Sequence, residues 1–592
     1  NIIFKGNRIY MKKIFFLLSM FFAFGVSTQA VPVRPGIKKV LTLADGTAVA
    51  AELKGDEYMA WWETADGRKF VQSESDEKTF VAADINAMRA QSAERRAIVD
   101  DARAKRMASA RTPKKRTLGG DHITYTGKKK GIIILANFTD SKFDEKHDNQ
   151  YYVNVANTPG FTSDEGYVGS VRDYFYAQSN GTFELDFDVI GPIELSHGYA
   201  WYGKDDTSTR DIRVGKMIKE AVEAADKAGA DWKSYDWDGD GECDQVFVLY
   251  AGLGQASGGD ANTIWPHEFK MSACPELNRT PVTTECGIVV DTYACSNENQ
   301  PVMKNGQFIN EYQPAGIGTI CHEFSHCLGF PDMYDTSNQG NYAMGTWDPM
   351  SSGSYNGNGM IPANYSAWER IYAGWVEPIV LDKAATVKAM VSSSQYGRPF
   401  IIYNDGHQDE YYLLENRQKD GWDAGLYGTG LLITHVDYDK EVWARNIVNY
   451  YADHQRCTIF HADNETDATY TSSVVNDPYP YKVGNRFFND KLTDDSEPAA
   501  ELYNNNTDGR KFMGKPITSI RNKDDGNVSF AFMGGNKENI ISNVTNTGIG
   551  HVTVDGIVKH EGVYSIDGRY LGNSLAPLGK GIYIVDGKKV VK

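Results

Sequence analysis

The sequence predicts an α+β domain, built as a mixed sheet with helices packed on it, followed by β-sandwich-like modules. Three observations predict it. Gly131-Ile132-Ile133-Ile134-Leu135-Ala136-Asn137-Phe138 is a continuous apolar run, as a strand covered on both faces requires. Residues 212–228 carry their apolar side chains at helical spacing. After Trp375 the pattern changes to strands, such as 410–417 and 428–437, with glycine turns between them, and continues so to about Phe532. Between the first strand and the first long helix, 171–178 begins a helix, and Ser179-Asn180-Gly181 turns into a strand at 183–189.

At 592 residues the chain is too long for one core, and three or four domains are expected. A hydrophobic content of 41% and a charged content of 23% are those of a globular protein. The net charge of -17 argues against nucleic-acid binding by bulk electrostatics and serves solubility. Met11-Lys12-Lys13, an apolar run at 14–26 and the small residues up to Ala30 form an expected signal peptide, with Val31 as the first residue after it and residues 1–10 lying upstream. That run is too short to span a bilayer, and no later stretch approaches ~18 consecutive apolar residues. The trimmed chain is expected to be secreted or at the cell surface, without a transmembrane segment. Seven cysteines are an odd number. Export permits disulfides. Cys274, Cys286 and Cys295, in one loop-rich region, are the candidates, whereas Cys321 and Cys327 read as small buried hydrophobes.

Residues 31–117 hold no catalytic constellation. Asp45-Gly46-Thr47 and Asp66-Gly67 are hairpin signals, 84–110 is an Ala- and Arg-rich helical stretch, and Pro113-Lys114-Lys115-Arg116 is a basic cluster open to cleavage. Together they read as a propeptide. It has no cysteine to cap a metal. Asp56 and Asp66 are the acidic alternatives, or else simply turn formers.

The chemistry concentrates in Cys321-His322-Glu323-Phe324-Ser325-His326-Cys327-Leu328-Gly329-Phe330-Pro331-Asp332. Histidines four apart on a helix aim at one point, which suits zinc. Glu323, beside the first of them, is placed to act as a general base. Gly329 can end the helix in the left-handed region and Pro331 cannot continue it. The chain can then double back, and Asp332 can bring a hard oxygen to the same metal. A second motif, Asp236-Trp237-Asp238-Gly239-Asp240-Gly241-Glu242-Cys243-Asp244, resembles the first part of a calcium loop. Asp236, Asp238, Asp240 and Asp244 can converge around Gly241. Phe247 stands where an EF-hand needs its bidentate Glu and a strand follows, so a strand-linked calcium loop or a solvated acidic turn is expected instead.

The helix motif, its Pro331-Asp332-Met333-Tyr334-Asp335 continuation and the turn Trp347-Asp348-Pro349-Met350-Ser351-Ser352-Gly353-Ser354-Tyr355 resemble the immune-inhibitor-A type of secreted bacterial metalloprotease, of the metzincin group. The resemblance implies a zinc endopeptidase made as a zymogen, acting on protein or peptide substrates. It implies that Asp332 replaces the usual third histidine, with Asp335 or Glu369 as the other choices. It also implies a Met350 turn beneath the metal, and it raises Tyr355 as an oxyanion donor. Ile264-Trp265-Pro266-His267-Glu268 looks like another family segment, in which His267 either lines the cleft or is structural. Gly55-Asp56-Glu57-Tyr58 and Trp61-Trp62-Glu63 resemble propeptides found ahead of this protease type. The tail, with Asp-Gly turns at 567–568 and 586–587, resembles the sorting domains of exported Bacteroidetes proteins and implies an outer-membrane export machinery as partner. The expected boundaries are 1–30 for the upstream residues and signal peptide, 31–117 for the propeptide, 118–378 for the catalytic domain, 379–533 for the β-rich accessory domain and 534–592 for the tail. The rival readings are a non-catalytic adhesin on a degenerate protease scaffold, against which the retained Glu323 argues, and a metal-dependent hydrolase of non-peptide amides. Asp437 and Asp439 read as polar residues at a strand end or as holders of a second cation.

Overall fold

The computed structural model describes residues 31–93 apart from 74 and 77, then 115–117, 120–122, 125–205, 210–304, 307–466, 471–484, 486–544 and four strands between 563 and 591. The expected signal peptide at 1–30 and most of the helical and basic stretch at 94–114 lie outside the described residues.

The chain begins with five antiparallel strands paired in sequence order, Lys38–Thr42, Ala48–Gly55, Ala60–Thr64, Lys69–Gln72 and Phe80–Ala82. The Asp-Gly turns place Gly46 and Gly67 at φ +85° and +83°, where a side chain would be strained. This sheet has only a small core of its own, around Leu41, Ala51, Phe70 and Phe80. A core that small cannot offset the chain entropy of ordering. The sheet instead docks: Val31, Val33, Ile37 and Leu53 pack with Ala256 and Trp265 of the next domain.

The second sheet runs in the order His267–Lys270, Thr292–Lys304, Val246–Leu253, Gly127–Asn137, Phe183–Glu194, and Gln307–Pro314 also pairs with the second of these. The last four strands of that order are mutually parallel, whereas His267–Lys270 and Gln307–Pro314 each run antiparallel to Thr292–Lys304. The strict alternation of a strand explains the apolar run. Ile132 and Ile134 point to one side, where the helix Val214–Lys227 presents Met217, Ile218 and Val222. Ile133 and Leu135 point to the other side, toward Phe324 of the helix Gly318–Ser325. Burying each such side chain stabilises the domain by roughly 1.5–3 kcal/mol.

Beyond Trp375, a five-stranded sheet (Ile379–Val380, Phe400–Asn404, His407–Arg417, Gly430–Asp437, Cys457–Ile459) lies over a four-stranded one (Ile517–Asn522, Val528–Phe532, Ala385–Met390, Ile540–Ser542). Tyr412, Leu414 and Ile433 share a core with Phe530 and Val387. Their neighbours Tyr411, Leu413 and Leu432 face the other way and join the core around the helix Gly318–Ser325, with Trp368 and Trp443. The strand Ile540–Ser542, assigned by sequence to the tail, completes the four-stranded sheet by pairing with Ala385–Met390.

Residues 543–592 form a separate unit, with four antiparallel strands at Val563–Ser565, Tyr570–Gly572, Ile582–Val585 and Lys588–Val591. Among the described residues no helix is long and apolar enough to cross a membrane.

The expected disulfides among Cys274, Cys286 and Cys295 do not form, since all seven cysteines are free. Cys274 and Cys295 are spent on packing in the apolar cluster beneath the helix Val214–Lys227, and Cys286 is exposed.

Candidate metal centre

The helix Gly318–Ser325 continues as a tight turn, His326–Leu328, and Gly329 ends it at φ +85°. Gly318 is required by close approach: a Cβ there would lie 1.8 Å from the carbonyl oxygen of Ser354. That contact seats the helix start on the segment after Met350. Inside the helix every residue is buried, including His322, Glu323 and His326.

Each imidazole is fixed through its Nδ1. His322 Nδ1 lies 2.7 Å from the Pro349 carbonyl and His326 Nδ1 2.8 Å from the Phe330 carbonyl. A carbonyl only accepts, so each Nδ1 carries the proton and each Nε2 keeps a lone pair. The two rings stand at 90° with centroids 4.9 Å apart. Asp332 Oδ1 lies 3.1 Å from His322 Nε2 and 3.5 Å from His326 Nε2. Glu323 Oε2 is 4.0 Å from His326 Nε2. His322 Nε2, Glu323 Oε2 and Asp332 Oδ1 are all buried without a hydrogen-bond partner. An orphaned buried polar atom costs about 1–3 kcal/mol, more when charged. Three of them turned toward one another fit a cation, and separations of 3.1–3.5 Å between the histidine and aspartate donor atoms suit ligands sharing an ion at ~2.0–2.2 Å.

The other two carboxylates weighed for the metal lie elsewhere. Asp335 Oδ2 caps its own loop, accepting from the amides of Gln339, Gly340 and Asn341. Glu369 accepts from the Ser366 hydroxyl and faces Asp348 in the Met350 turn. Met350 is fully buried, and its carbonyl accepts from Met333 N–H at 2.7 Å, tying the turn to the segment that carries Asp332.

Glu323 also has a partner from far away in sequence. The Val31 N–H donates to its Oε1 at 2.9 Å. The segment after Val31 is held along the cleft by Trp265 Nε1–H to the Val31 carbonyl at 3.0 Å, Tyr355 O–H to the Pro32 carbonyl at 2.7 Å, and Arg34 N–H to the Ala256 carbonyl at 3.0 Å. Glu57 of the first sheet is buried nearby and accepts from the Tyr334 hydroxyl. Burial, then the carboxylates of Asp332, Glu57 and Glu268, push the Glu323 carboxyl well above its usual range, and the Val31 N–H pulls it back. Asp56 caps the turn to Tyr58 and Met59, and Asp66 pairs with Arg68 at the surface. Both are turn formers here. Sequence reasoning missed Val31 and Glu57; the expected cleavage point just before Val31 was the available signal for the first.

His267 is structural: Nδ1 bonds the Trp265 carbonyl, Nε2 meets the Tyr293 hydroxyl, and burial lowers its pKa to about 4. Asp437 is taken by His454 and Arg456, and Asp439 caps the helix Lys440–Ala444. In the acidic loop, Asp236, Asp238 and Asp240 bring ligand atoms within 4.8 Å of one another. Asp244 stands outside that trio and accepts from the Trp237 amide at 2.6 Å.

The His-Glu-x-x-His helix lies against the mixed sheet, and the Asp332 carboxylate faces its two imidazoles, a donor set suited to a metal ion. In agreement, residues 123–375 match the family of the immune inhibitor A peptidase M6 catalytic domain. Two relatives are similar to part of the chain. The pre-pro-metalloprotease PrtV of Vibrio cholerae serotype O1 is 29% identical over 241 residues, 35% of this chain and 24% of its own length. Immune inhibitor A of Bacillus thuringiensis subsp. alesti is 24% identical over 275 residues, 40% of this chain and 38% of its own. The chain thus spans well under half the length of the curated relatives it matches.

Proposed function

We propose that the protein is a secreted zinc-dependent endopeptidase, made as a zymogen and acting on proteins or peptides. The observation that carries this reading is the convergence of His322 Nε2, His326 Nε2 and Asp332 Oδ1 beside a buried glutamate whose Oε1 accepts from the Val31 N–H. His322, His326 and Asp332 would hold zinc, which supplies a Lewis acid for the scissile carbonyl and an acidified water. Glu323 takes the proton from the attacking water and returns it to the leaving amine. Met350 braces the site from below and touches no substrate. Tyr355 already donates to a carbonyl in the cleft, so its hydroxyl is within reach of a bound peptide.

Latency follows from the same geometry. Removal of residues 1–30 would turn the Val31 N–H into a terminal ammonium facing Glu323, a charge-assisted pair that occupies the base. Cleavage near residues 113–116 would then release residues 31–117 as the propeptide.

The order of the second sheet, four parallel strands with two antiparallel strands paired to Thr292–Lys304, supports the metzincin assignment, and the two facing sheets after Trp375 support a β-sandwich-like module. Asp236, Asp238 and Asp240, with Asp244 bracing the loop, are offered as a calcium site. The tail is offered as an address read by an outer-membrane export machinery, leaving the enzyme secreted or on the cell surface.

The test is casein hydrolysis by the trimmed protein with and without a chelator, beside Glu323→Ala. Loss in both, by a factor of at least ~10³ for the variant, is expected if Glu323 is the general base acting with the metal. Activity in Glu323→Ala equal to wild type sinks the reading.

A further inference from the structure

Asp332 is fully buried and is gripped at two points by one side chain. Asn446 Nδ2–H donates to Asp332 Oδ2 at 2.5 Å, and the Asp332 backbone N–H donates to Asn446 Oδ1 at 2.6 Å. Asn446 lies 114 positions downstream, past the helix Lys440–Ala444 of the accessory region. The turn that carries it is itself pinned to the Asp332 segment. Asn449 Nδ2–H reaches both the Met333 carbonyl at 3.0 Å and the Cys457 carbonyl at 2.8 Å, and the Cys457 N–H returns to Asn449 Oδ1.

We propose that Asn446 is a positioning residue of the metal centre. Its clasp consumes one oxygen of Asp332 and turns the other, Oδ1, toward the two imidazoles. Oδ1 is then the oxygen left without a partner. The consequence is that residues 118–378 alone do not complete the centre; the accessory region supplies part of it. This rests on His322, His326 and Asp332 being the zinc ligands.

Asn446 has φ +55°, a conformation that asparagine tolerates better than most residues. A turn with that need alone would accept glycine equally well, and would not spend its amide nitrogen on the carboxylate and its amide oxygen on the backbone N–H of one buried aspartate. Asn446→Gly therefore keeps the backbone and removes the clasp. Asn446→Asp keeps the shape and removes only the donor, leaving two carboxylates face to face.

The experiment uses the full chain after trimming. Zinc is titrated against a chromophoric competing chelator, and the apo proteins are melted beside it. Both variants are expected to fold and to bind zinc about 10–100-fold more weakly than wild type, the usual effect of losing a partner of a ligand. Should the glycine variant fail to fold, the aspartate variant carries the test. Folded variants that bind zinc within twofold of wild type overturn the assignment and leave Asn446 a turn residue. A wild-type chain that binds no zinc overturns the ligand set beneath it, which is a different failure.

Discussion

The backbone N–H of Val31 and the carboxylate of Glu323 meet at 2.9 Å across 292 positions of sequence. The start of the first sheet thereby occupies the group that a hydrolytic site needs free. A synthetic Val-Pro-Val-Arg peptide with a free amine is expected to inhibit the trimmed enzyme. Its acetylated form should bind at least about tenfold more weakly, since a charge-assisted bond is worth ~1.5–3 kcal/mol. Inhibition constants for the two peptides decide it, and equal constants remove the ammonium from the account.

Glu369 and Asp348 each leave one buried oxygen without a partner. They face each other, so a single shared proton would serve both. Burial, then the Asp348 charge, push the Glu369 carboxyl well above the ordinary 4.5. Folding then binds a proton, and the stability from this pair is full at low pH and is lost as pH rises through the folded group's ionisation. Glu369→Gln should keep the fold and flatten the alkaline fall in melting temperature. Glu369→Ala should cost ~2–4 kcal/mol through the cavity and the orphaned partner. Melting curves across a pH series test both.

Glu410 behaves in the opposite sense. Burial works against its charge, but the hydrogen bond and charge of His435, the Tyr503 amide and Asn404 hold its pKa down to about 2. Its contribution is present above the unfolded value of 4.5 and is lost as pH falls toward 2. Acid unfolding of the accessory region, followed by near-ultraviolet dichroism, should be shallower in Glu410→Gln than in wild type. Identical acid limbs would count against the ion pair.

For the acidic loop, calcium at a hundredfold excess over its Kd should stabilise the trimmed protein by ~2.7 kcal/mol. Paired Asp238→Ala and Asp240→Ala changes should remove the gain while leaving the calcium-free melting temperature within a degree or two. No shift in wild type would leave the loop a solvated turn.

Much of the fold was legible because the signals are local. The alternation of Ile132 to Leu135 betrays a strand with two covered faces, and Gly329 and Pro331 mark where the helix stops. The facing pair His322 and His326 follows from helical period alone. The cysteines misled. A sequence gives the count of thiols but not their spacing in space, and Cys274 and Cys295 are spent on apolar packing.

By itself, then, the sequence determined the helix, its two imidazoles and the neighbouring glutamate, because these are set by residues within one turn of each other. Only the tertiary structure decided which carboxylate lies beside the two imidazoles, what rests on Glu323, and what Asp332 is bonded to. Asp332, Asp335 and Glu369 are chemically alike in sequence; hydrogen bonds from Asn446, from a loop's own amides and from Ser366 distinguish them. Those partners are brought together by burial of distant apolar faces, and no local pattern encodes such a meeting.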